Sequence, residues 1–416
     1  MTMPIRIINS SDAAQVDALL SPTARDADRA LTRRVAVIVD AVRDGGDAAL
    51  RRYALKFDGL TGEFEIPRDR WDAESQRAPV RVRAALQAAA RNIARVARAQ
   101  LPRQLRVAVG PGITVEQRVR PLDSVGCYVP GGRHPLPSSL LMTAVPASVA
   151  GVKEIIAVCP RPEPIILAAA LAAGVTRLFQ IGGAQAIAAL AFGTASIPRV
   201  DRIVGPGNKY VAAAKNYVAD RVGIDMQAGP SEILILSESG NPAWLAADLI
   251  AQAEHDPDAR ALLMTSTRAL ARAVAAEVAR QLPSDGPARE SLQKHGGIIV
   301  TRNASEAIAL ANRMAAEHLV VDDEATAAAV RCAGSIFIGP FSAQVAGDYA
   351  IGSNHVLPTG GAARVRGGLH ASDFVRVVSV QRLTRSGLAR LAPTVQTLAK
   401  AEGLTAHDAS IAVRVR

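Results

Sequence analysis

From Ser124 to Ile338 the chain alternates short β-rich runs with apolar helical segments, and this alternation restricts its possible folds more than any other feature. Two parallel strands need a crossover between them, usually a helix, so a repeated strand–helix order predicts parallel sheets with right-handed connections. The 416 residues are enough for two such units. We therefore predict an α/β fold with two doubly wound parallel-sheet domains and small helical extensions at both ends.

The predicted elements follow the hydrophobic periodicity of each segment. Strands are predicted at Val125–Val129, Glu154–Val158, Arg177–Ile181, Arg202–Val204, Ile233–Leu236, Ala259–Thr265, Gly297–Thr301, Leu319–Val321 and Ser335–Ile338. Helices are predicted in the first hundred residues at Thr32–Val42, Asp47–Phe57 and Pro79–Leu101, and between the strands at Ser138–Ala150, Pro164–Ala173, Ala184–Phe192, Asn208–Arg221, Pro242–Glu254, Arg268–Leu282, Ser305–Met314 and Glu324–Cys332. The tail from Leu369 onward is predicted to be helical.

The formal charge of +10, taken alone, favours an anionic partner such as nucleic acid or a membrane surface. However, the basic residues are mostly arginines scattered among acids and alanines, and aromatic residues that stack on bases make up only 3% of the chain. An arginine-rich surface explains the charge equally well, and we expect no nucleic-acid partner. The most apolar stretch, Pro164–Ala173, is shorter than the roughly 20 residues that span a bilayer, so we expect no membrane partner.

The start of the sequence, MTMPIRIINSSD, lacks the apolar core of a signal peptide. Cys127, Cys159 and Cys332 are odd in number and widely spaced, which predicts no disulfide framework. We therefore expect a cytoplasmic protein. Because no CxxC motif is present, a metal site would have to use histidine, carboxylate or amide ligands.

Glycine-bearing turns follow three predicted strands, at 128–132, 182–185 and 205–208. Such turns let a backbone approach phosphate or ribose closely, and ligands of parallel sheets bind at the carboxyl ends of the strands. Glycine at strand–helix turns is also common without any ligand, and no GxGxxG motif occurs at a strand–helix junction. A nucleotide site and ordinary turns both remain open interpretations.

Four segments at predicted element ends or loops each place a histidine near a carboxylate or amide. They are Gln252 with His255, Glu317 with His318, Asp348 with His355, and Glu402 with His407. Any one pair is more often structural, with Glu317, for example, solvated and His318 covering the core edge. Together they offer the donors that Zn²⁺ accepts, and an adjacent Glu-His pair can divide proton transfers because the two groups titrate about two pKa units apart.

An ordered series of segments along nearly the whole chain resembles the histidinol dehydrogenase family. The segments are Val125-Gly-Cys-Tyr-Val-Pro-Gly-Gly-Arg133, Gly182-Gly-Ala-Gln-Ala-Ile187, Gly205-Pro-Gly-Asn208, Ala228-Gly-Pro-Ser-Glu232, Gln252-Ala-Glu-His255, Glu317-His-Leu319, Gly347-Asp-Tyr349, Asn354-His-Val-Leu-Pro-Thr359 and Glu402-Gly-Leu-Thr-Ala-His407. Their number and order make the resemblance far more specific than any single motif.

The resemblance implies the last steps of histidine biosynthesis, the oxidation of L-histidinol to L-histidine through L-histidinaldehyde, with NAD as oxidant and one Zn²⁺ per subunit. The implied metal ligands are Gln252, His255, Asp348 and His407. His318 would be the general base of the oxidations, and Glu317 would activate water for the second one. The implied substrate contacts are these four ligands with His318, Ser231, His355 and Glu402. The implied NAD contacts are Tyr128, Gln185 and Asn208.

The resemblance further implies an intertwined homodimer in which Glu402 and His407 enter the neighbouring subunit's site. The sheet domains would be incomplete Rossmann-like units. The expected division is an N-terminal arm at 1–23, a first α/β domain at 24–127 and 233–368, a second, NAD-binding α/β domain at 128–232, and a helical tail domain at 369–416.

Two departures from the family pattern stand out. Ala316 replaces the proline usual before the Glu-His pair, which should loosen the turn slightly, and His134-Pro-Leu-Pro137 lacks a tyrosine that many members carry. Paralogues act on other alcohols, so the alternative is an NAD-dependent dehydrogenase of another anionic or sulfonated alcohol on the same fold. Retention of His355 and Glu402 with all four ligand positions favours histidinol.

Overall fold

The structure, a computed structural model, describes residues 4–21, 29–131, 135–226 and 229–415. Parts of the expected N-terminal arm, of Val125–Arg133 and of Ala228–Glu232, together with His134, lie outside the described residues. Within these ranges no helix has the length and apolar character needed to cross a membrane.

Most of the chain forms regular elements. The strands are β1 (Ile7–Asn9), β2 (Leu105–Gly110), β3 (Ile113–Pro121), β4 (Ser124–Tyr128), β5 (Glu154–Val158), β6 (Arg177–Phe179), β7 (Arg202–Val204), β8 (Gly223–Ile224), β9 (Glu232–Leu236), β10 (Arg260–Thr265), β11 (Gly297–Val300), β12 (His318–Val321), β13 (Ser335–Ile338) and β14 (Val375–Leu383). The helices are α1 (Ala13–Leu20), α2 (Arg29–Tyr53), α3 (Asp69–Ser75), α4 (Val80–Gln100), α5 (Pro137–Ala150), α6 (Pro164–Ala173), α7 (Gly183–Phe192), α8 (Lys209–Tyr217), α9 (Pro242–Ala253), α10 (Arg268–Gln281), α11 (Ala288–His295), α12 (Ala304–Met314), α13 (Glu324–Ala329), α14 (Gln344–Tyr349), α15 (Arg385–Ala401) and α16 (Thr405–Val415). A π-helical turn follows α2 at Ala54–Asp58, and 3₁₀ turns lie at Ala362–Arg364 and Ala371–Phe374.

One sheet has six parallel strands in the order β1-β11-β10-β9-β12-β13. Alternate residues of each strand point to opposite faces, so Ile233 and Ile235 pack with α9, α10 and α11. Leu234 and Leu236 pack on the other face with α1 and α12. Helices therefore cover both faces, and the strands are mostly apolar, as the doubly wound prediction requires.

The other parallel sheet has five strands in the order β6-β5-β4-β7-β8. Val125 and Cys127 pack with α4, α5 and α6, and Ile156 and Val158 pack with α2, α7 and α8. The predicted fold class, α/β with two doubly wound parallel sheets, is confirmed.

A third sheet, of three antiparallel strands in the order β14-β3-β2, was not predicted. The expectation of a wholly helical tail is wrong, because β14 pairs with β3 along its full length, from Val375 opposite Pro121 to Leu383 opposite Ile113. Two helices, α15 and α16, do follow. Most residues of β14 and β2 are exposed, so this sheet has no hydrophobic core of its own.

The helices of the first hundred residues pack on the five-stranded sheet. α2 contacts α7 and α8, and α4 contacts α5 and α6. In this respect the packing differs from the expected division, which grouped 24–127 with 233–368; the remaining domain boundaries stay a prediction. The separate helices predicted at Thr32–Val42 and Asp47–Phe57 correspond to two segments of α2 that meet at a kink, where Gly46 has the non-helical φ of 51°.

The two parallel sheets are joined by the short connection from β8 to β9. A buried ion pair, Lys215 with Asp225, anchors its start. Asp225 Oδ2 accepts from the Gly205 N–H at 2.7 Å, and Lys215 Nζ donates to the Gly205 carbonyl at 3.0 Å. The start of the connection is thereby fixed to the turn after β7.

Candidate active site

Glu317 and His318 lie at the amino end of β12, beside the start of β9, where His318 pairs with Ile233. The chain reaches this position through Ala315, which ends α12 in the left-handed region with a φ of 52°. Such a backbone is uncommon for a residue other than glycine, and such strain clusters at functional sites. Ala316 is buried, and its carbonyl accepts from the Gly334 N–H at 2.9 Å, which fixes the turn where proline is usual in the family.

The backbone of Glu232 binds both candidate catalytic side chains. Its N–H donates to Glu317 Oε2 at 2.7 Å, and its carbonyl lies 3.1 Å from His318 Nδ1. A carbonyl can only accept, so Nδ1 carries the proton and Nε2 presents its lone pair. Nε2 lies 3.6 Å from Asp348 Oδ1. The imidazole is therefore oriented as a proton acceptor.

Burial and neighbouring charges shift the titration of this group. Burial raises the pKa of Glu317 to about 7, although His318 and the Glu232 N–H act in the opposite sense. Burial lowers the pKa of His318, but the Asp348 and Glu317 carboxylates outweigh it and the net shift is upward. Burial likewise raises the pKa of Asp348, but His318, His355 and Gln344 together outweigh that effect, so the net shift is downward. A carboxyl group that titrates near neutrality suits general acid–base catalysis.

Asp348 is positioned by α14 and by the loop that follows. Gln344 Nε2 donates to its Oδ2 at 2.6 Å, while His355 Nδ1 lies 2.9 Å from its carbonyl. His355 Nε2 is left available, and burial lowers the pKa of this imidazole, which favours its neutral form. The ring of Phe337, centred 6.2 Å from that of His318, packs beside this group.

Gln252 provides the clearest sign that the site binds a ligand. Its side chain is fully buried, and neither its amide oxygen nor its amide nitrogen has a hydrogen-bond partner in the described residues. His255 lies one turn further, with Nδ1 3.0 Å from the Ala251 carbonyl and Nε2 left available. With Asp348, these residues supply amide oxygen, imidazole and carboxylate, a donor set that fits zinc.

The fourth expected ligand, His407, is exposed on α16, and Glu402 is exposed at the end of α15. Neither side chain hydrogen-bonds to the other candidate site residues within the described ranges, and no group of three or more His, Cys, Asp or Glu residues there could hold a metal ion. Within the described residues, the expected ligands therefore do not form a complete metal site in one chain.

The expected NAD contacts lie at the carboxyl edge of the five-stranded sheet. The Tyr128 hydroxyl, at the end of β4, accepts from the Gly183 N–H at 3.0 Å. Gln185 lies in the first turn of α7, and Asn208 caps α8 by accepting from the Tyr210 and Val211 N–H groups. These hydrogen bonds give each residue a structural role as well.

The glycines of this edge form a close-packed cradle. Gly205 has a φ of 115°, and a Cβ there would lie 2.3 Å from the Tyr128 carbonyl oxygen. A Cβ at Gly131 or Gly182 would lie 2.4 or 2.7 Å from Pro160. Only glycine allows the three turns to approach so closely, and the resulting backbone edge fits a dinucleotide.

Sequence reasoning missed Glu232, although its backbone orients both catalytic candidates. Arg260 donates to its Oε1 at 2.9 Å, and the Gly360 N–H donates to the same oxygen at 3.2 Å. The available signal was a charged residue at the start of an apolar strand. Ser231, the expected substrate contact, directly precedes it and is half-buried.

The family model described as histidinol dehydrogenase matches residues 22–415. The chain belongs to the histidinol dehydrogenase family. It is 43% identical to the histidinol dehydrogenase of Methanothermobacter thermautotrophicus, over 98% of this chain and 99% of that protein. It is 44% identical to that of Pseudomonas aeruginosa, over 100% of this chain and 99% of that protein.

A solved structure gives the same result. The histidinol dehydrogenase of Elizabethkingia anophelis matches with a TM-score of 0.94 at 34% identity, covering 100% of this chain and 99% of that one. The resemblance stated from the segments is thus confirmed for the family. Family membership does not by itself assign a role to any residue, so the ligand, base and cofactor assignments stay proposals.

Proposed function

We propose that this protein is a zinc-dependent histidinol dehydrogenase that oxidises L-histidinol to L-histidine with NAD, in the last steps of histidine biosynthesis. The observation that carries the proposal is the binding of Glu317 and His318 by the backbone N–H and carbonyl of one residue, Glu232, with Asp348 beside them. The names of its relatives support the substrate. We also propose the cytoplasm as its compartment, consistent with the free thiols of its three cysteines.

In the first oxidation, His318 Nε2 accepts the proton of the substrate hydroxyl as a hydride leaves the same carbon. NAD, when bound, supplies the acceptor of that hydride. An alcohol proton is too weakly acidic to leave unaided at neutral pH, so a base within hydrogen-bond reach lowers the barrier. The hydrogen bond to the Glu232 carbonyl stabilises the charged imidazole that results.

The aldehyde must gain water before it can lose a second hydride. Glu317, as carboxylate, accepts a proton from water while the water oxygen bonds to the aldehyde carbon, and the protonated His318 returns its proton to the carbonyl oxygen, giving a hydrate. His318 then accepts a hydroxyl proton of the hydrate as the second hydride leaves, and the product is the carboxylic acid. Zinc held by Gln252, His255 and Asp348 would supply a fixed positive charge that orients the substrate's nitrogen atoms.

The direct test of this function is the yield of NADH from a known amount of histidinol. Two coupled oxidations should give about two NADH per histidinol consumed. A chelator should lower the rate at least about tenfold, and added Zn²⁺ should restore it. Loss of a residue that only hydrogen-bonds to a metal ligand already costs about 10–100-fold in metal affinity or activity, so removal of the metal itself should cost no less. The measurement is NADH absorbance together with the metal content of the protein.

Gln252→Ala sharpens this test, with Gln87→Ala on the exposed side of α4 as its matched control. Gln252→Ala should reduce bound zinc while Gln87→Ala retains it. Rapid turnover of a sulfonated alcohol with none of histidinol would instead favour the alternative dehydrogenase, for which the charge of +10 is the motivating observation. Full activity without metal would contradict the zinc requirement.

We also propose a homodimer that completes each site with the partner subunit's Glu402 and His407. The arm formed by β14, α15 and α16 exposes apolar side chains, including Val377, Leu398 and Val413, each more than half exposed. No described residue of α16 is buried. An arm of this kind gains stability when a second copy covers it.

A hybrid dimer tests the shared site. Subunits carrying His318→Asn and His407→Asn are co-expressed with different tags, and the hybrid is isolated through both tags. If sites are shared, one of the two sites in the hybrid has both histidines, so about half of wild-type activity is expected. Each variant alone should be nearly inactive. A hybrid as inactive as its parents would show that each chain uses its own His407.

A further inference from the structure

A carboxylate from outside the five-stranded sheet reaches its carboxyl edge. Asp58 ends the π-helical turn after α2, and its Oδ2 accepts from the Gly182 N–H and from Gln185 Nε2, both at 3.1 Å. It therefore lies at the turn between β6 and α7, beside an expected NAD contact. Asp58 is not among the residues that the resemblance assigns to the site.

The second carboxylate oxygen of Asp58 is free for a ligand. Within the described part of the chain Oδ1 accepts no hydrogen bond, whereas Oδ2 accepts two. Asp58 is half-buried, and burial raises its pKa against the lowering effects of Gly182, Gln185 and Arg161. A partly desolvated acceptor with an unused oxygen binds hydroxyl donors more strongly than an exposed one does.

Arg161 lies near Asp58, since its charge lowers the pKa of that carboxyl. It follows β5 by way of Pro160, and its φ of 52° is in the left-handed region. In the described residues the Arg161 guanidinium has no hydrogen bond and no ion pair. The Asp58 carboxylate, with one free oxygen, and the unpaired Arg161 guanidinium thus both lie at the edge formed by the ends of β5 and β6.

The strand order indicates which part of a dinucleotide would lie at this edge. The order β6-β5-β4-β7-β8 reverses between β4 and β7, and the crevice of a doubly wound sheet opens at such a reversal. With the pyrophosphate at that crevice, one nucleoside extends over β5 and β6. In dinucleotide-binding sheets an acid there binds the adenosine ribose hydroxyls of NAD, whereas an arginine accommodates the 2′-phosphate of NADP.

We propose that Asp58 determines the choice of cofactor: its Oδ1 accepts a hydrogen bond from an adenosine ribose hydroxyl of NAD, and its negative charge excludes the 2′-phosphate of NADP. This inference rests on the proposed NAD site. Arg161 supplies the counter-charge that would accept the phosphate once the acid is neutralised.

Binding without turnover tests the proposal. Calorimetric titrations of the zinc-loaded enzyme, without histidinol, use NAD and NADP, and also adenosine 5′-monophosphate and adenosine 2′,5′-bisphosphate as probes. Asp58→Asn should weaken NAD binding about tenfold, the effect of one hydrogen bond to a charged group, and strengthen NADP binding about tenfold by removing the repulsion. Asp58→Asn with Arg161→Gln should lose the gain for NADP.

Asp69→Asn, an exposed acid in the first turn of α3, is the matched control and should change neither affinity. An equal loss for both cofactors with a lower melting temperature would mean that Asp58 only holds the Gly182 turn, and would overturn the proposal. An unchanged ratio of NAD affinity to NADP affinity in Asp58→Asn would also overturn it. Asp58→Ser provides a second variant if Asp58→Asn is unstable. The wild-type protein could fail to reduce NAD with histidinol while Asp58→Asn still shifts the ratio of NAD to NADP affinity. That result would contradict the proposed histidinol dehydrogenase function and leave this inference standing.

Discussion

His318→Asn should lower the rate of both oxidations by about 10³-fold, within the 10²–10⁴-fold range of general-base catalysis. An asparagine at this position retains an amide donor near the place of Nδ1, so the hydrogen bond to the Glu232 carbonyl can persist. It has no counterpart of Nε2, the nitrogen that faces Asp348. The variant therefore removes the base and keeps the fold.

The two oxidations are measured separately, with histidinol for the first and with the aldehyde for the second. His295→Asn, at the end of α11 and away from the site, is the matched control and should leave both rates unchanged. A folded His318→Asn protein that oxidises histidinol at the normal rate would contradict the role assigned to His318. Retained binding of NAD and zinc would show that the loss is chemical.

The parallel sheets could be predicted because their signals are local. β5 and α6 match their predicted bounds residue for residue, since each is an apolar run that ends at a Pro or Gly. β14 could not be placed in this way. Its partner β3 is more than 250 residues away in sequence, and its residues are mostly exposed, so no core marks it as a strand.

The candidate site was predictable in its residue types more than in its geometry. The sequence alone presents Glu317 and His318 as neighbours, but their orientation depends on the backbone N–H and carbonyl of Glu232, in another strand. The expectation that ligands sit at the carboxyl ends of strands describes the proposed cofactor edge. It does not describe the catalytic pair, which lies at the amino end of β12. Nothing local signals that difference.

The position of Asp58 could not be predicted from the sequence either. Its role at the cofactor edge depends on the packing of α2 against α7, which brings the following turn to Gly182. No motif in the sequence joins positions 58 and 182. His407 is the opposite case, because the resemblance points to it clearly while a single chain leaves it exposed. In the proposed dimer, the exposed His407 of one chain would enter the site of the other chain, as the resemblance implies.

Glu317→Gln should affect mainly the second oxidation, slowing it by about 10²-fold or more while histidinol is still oxidised and the aldehyde accumulates. A glutamine amide nearly matches the carboxylate in shape, and its oxygen can still accept from the Glu232 N–H, but it cannot take a proton from water. Glu324→Gln, exposed at the start of α13, is the matched control. The measurement is trapping of the aldehyde beside the NADH yield, which should fall from about two toward one per histidinol.

The pH profile gives an independent test of the same residue. Burial raises the pKa of Glu317 to about 7, so the carboxylate needed to activate water is lost as the pH falls through that value. Protonation of Glu317 should therefore lower the wild-type rate of aldehyde oxidation about tenfold per pH unit below pH 7, in addition to the loss that protonation of His318 causes, whereas Glu317→Gln should keep only the His318 part of this dependence. An identical profile in the variant, or an equal loss in both oxidations, would assign the water-activating role to another group.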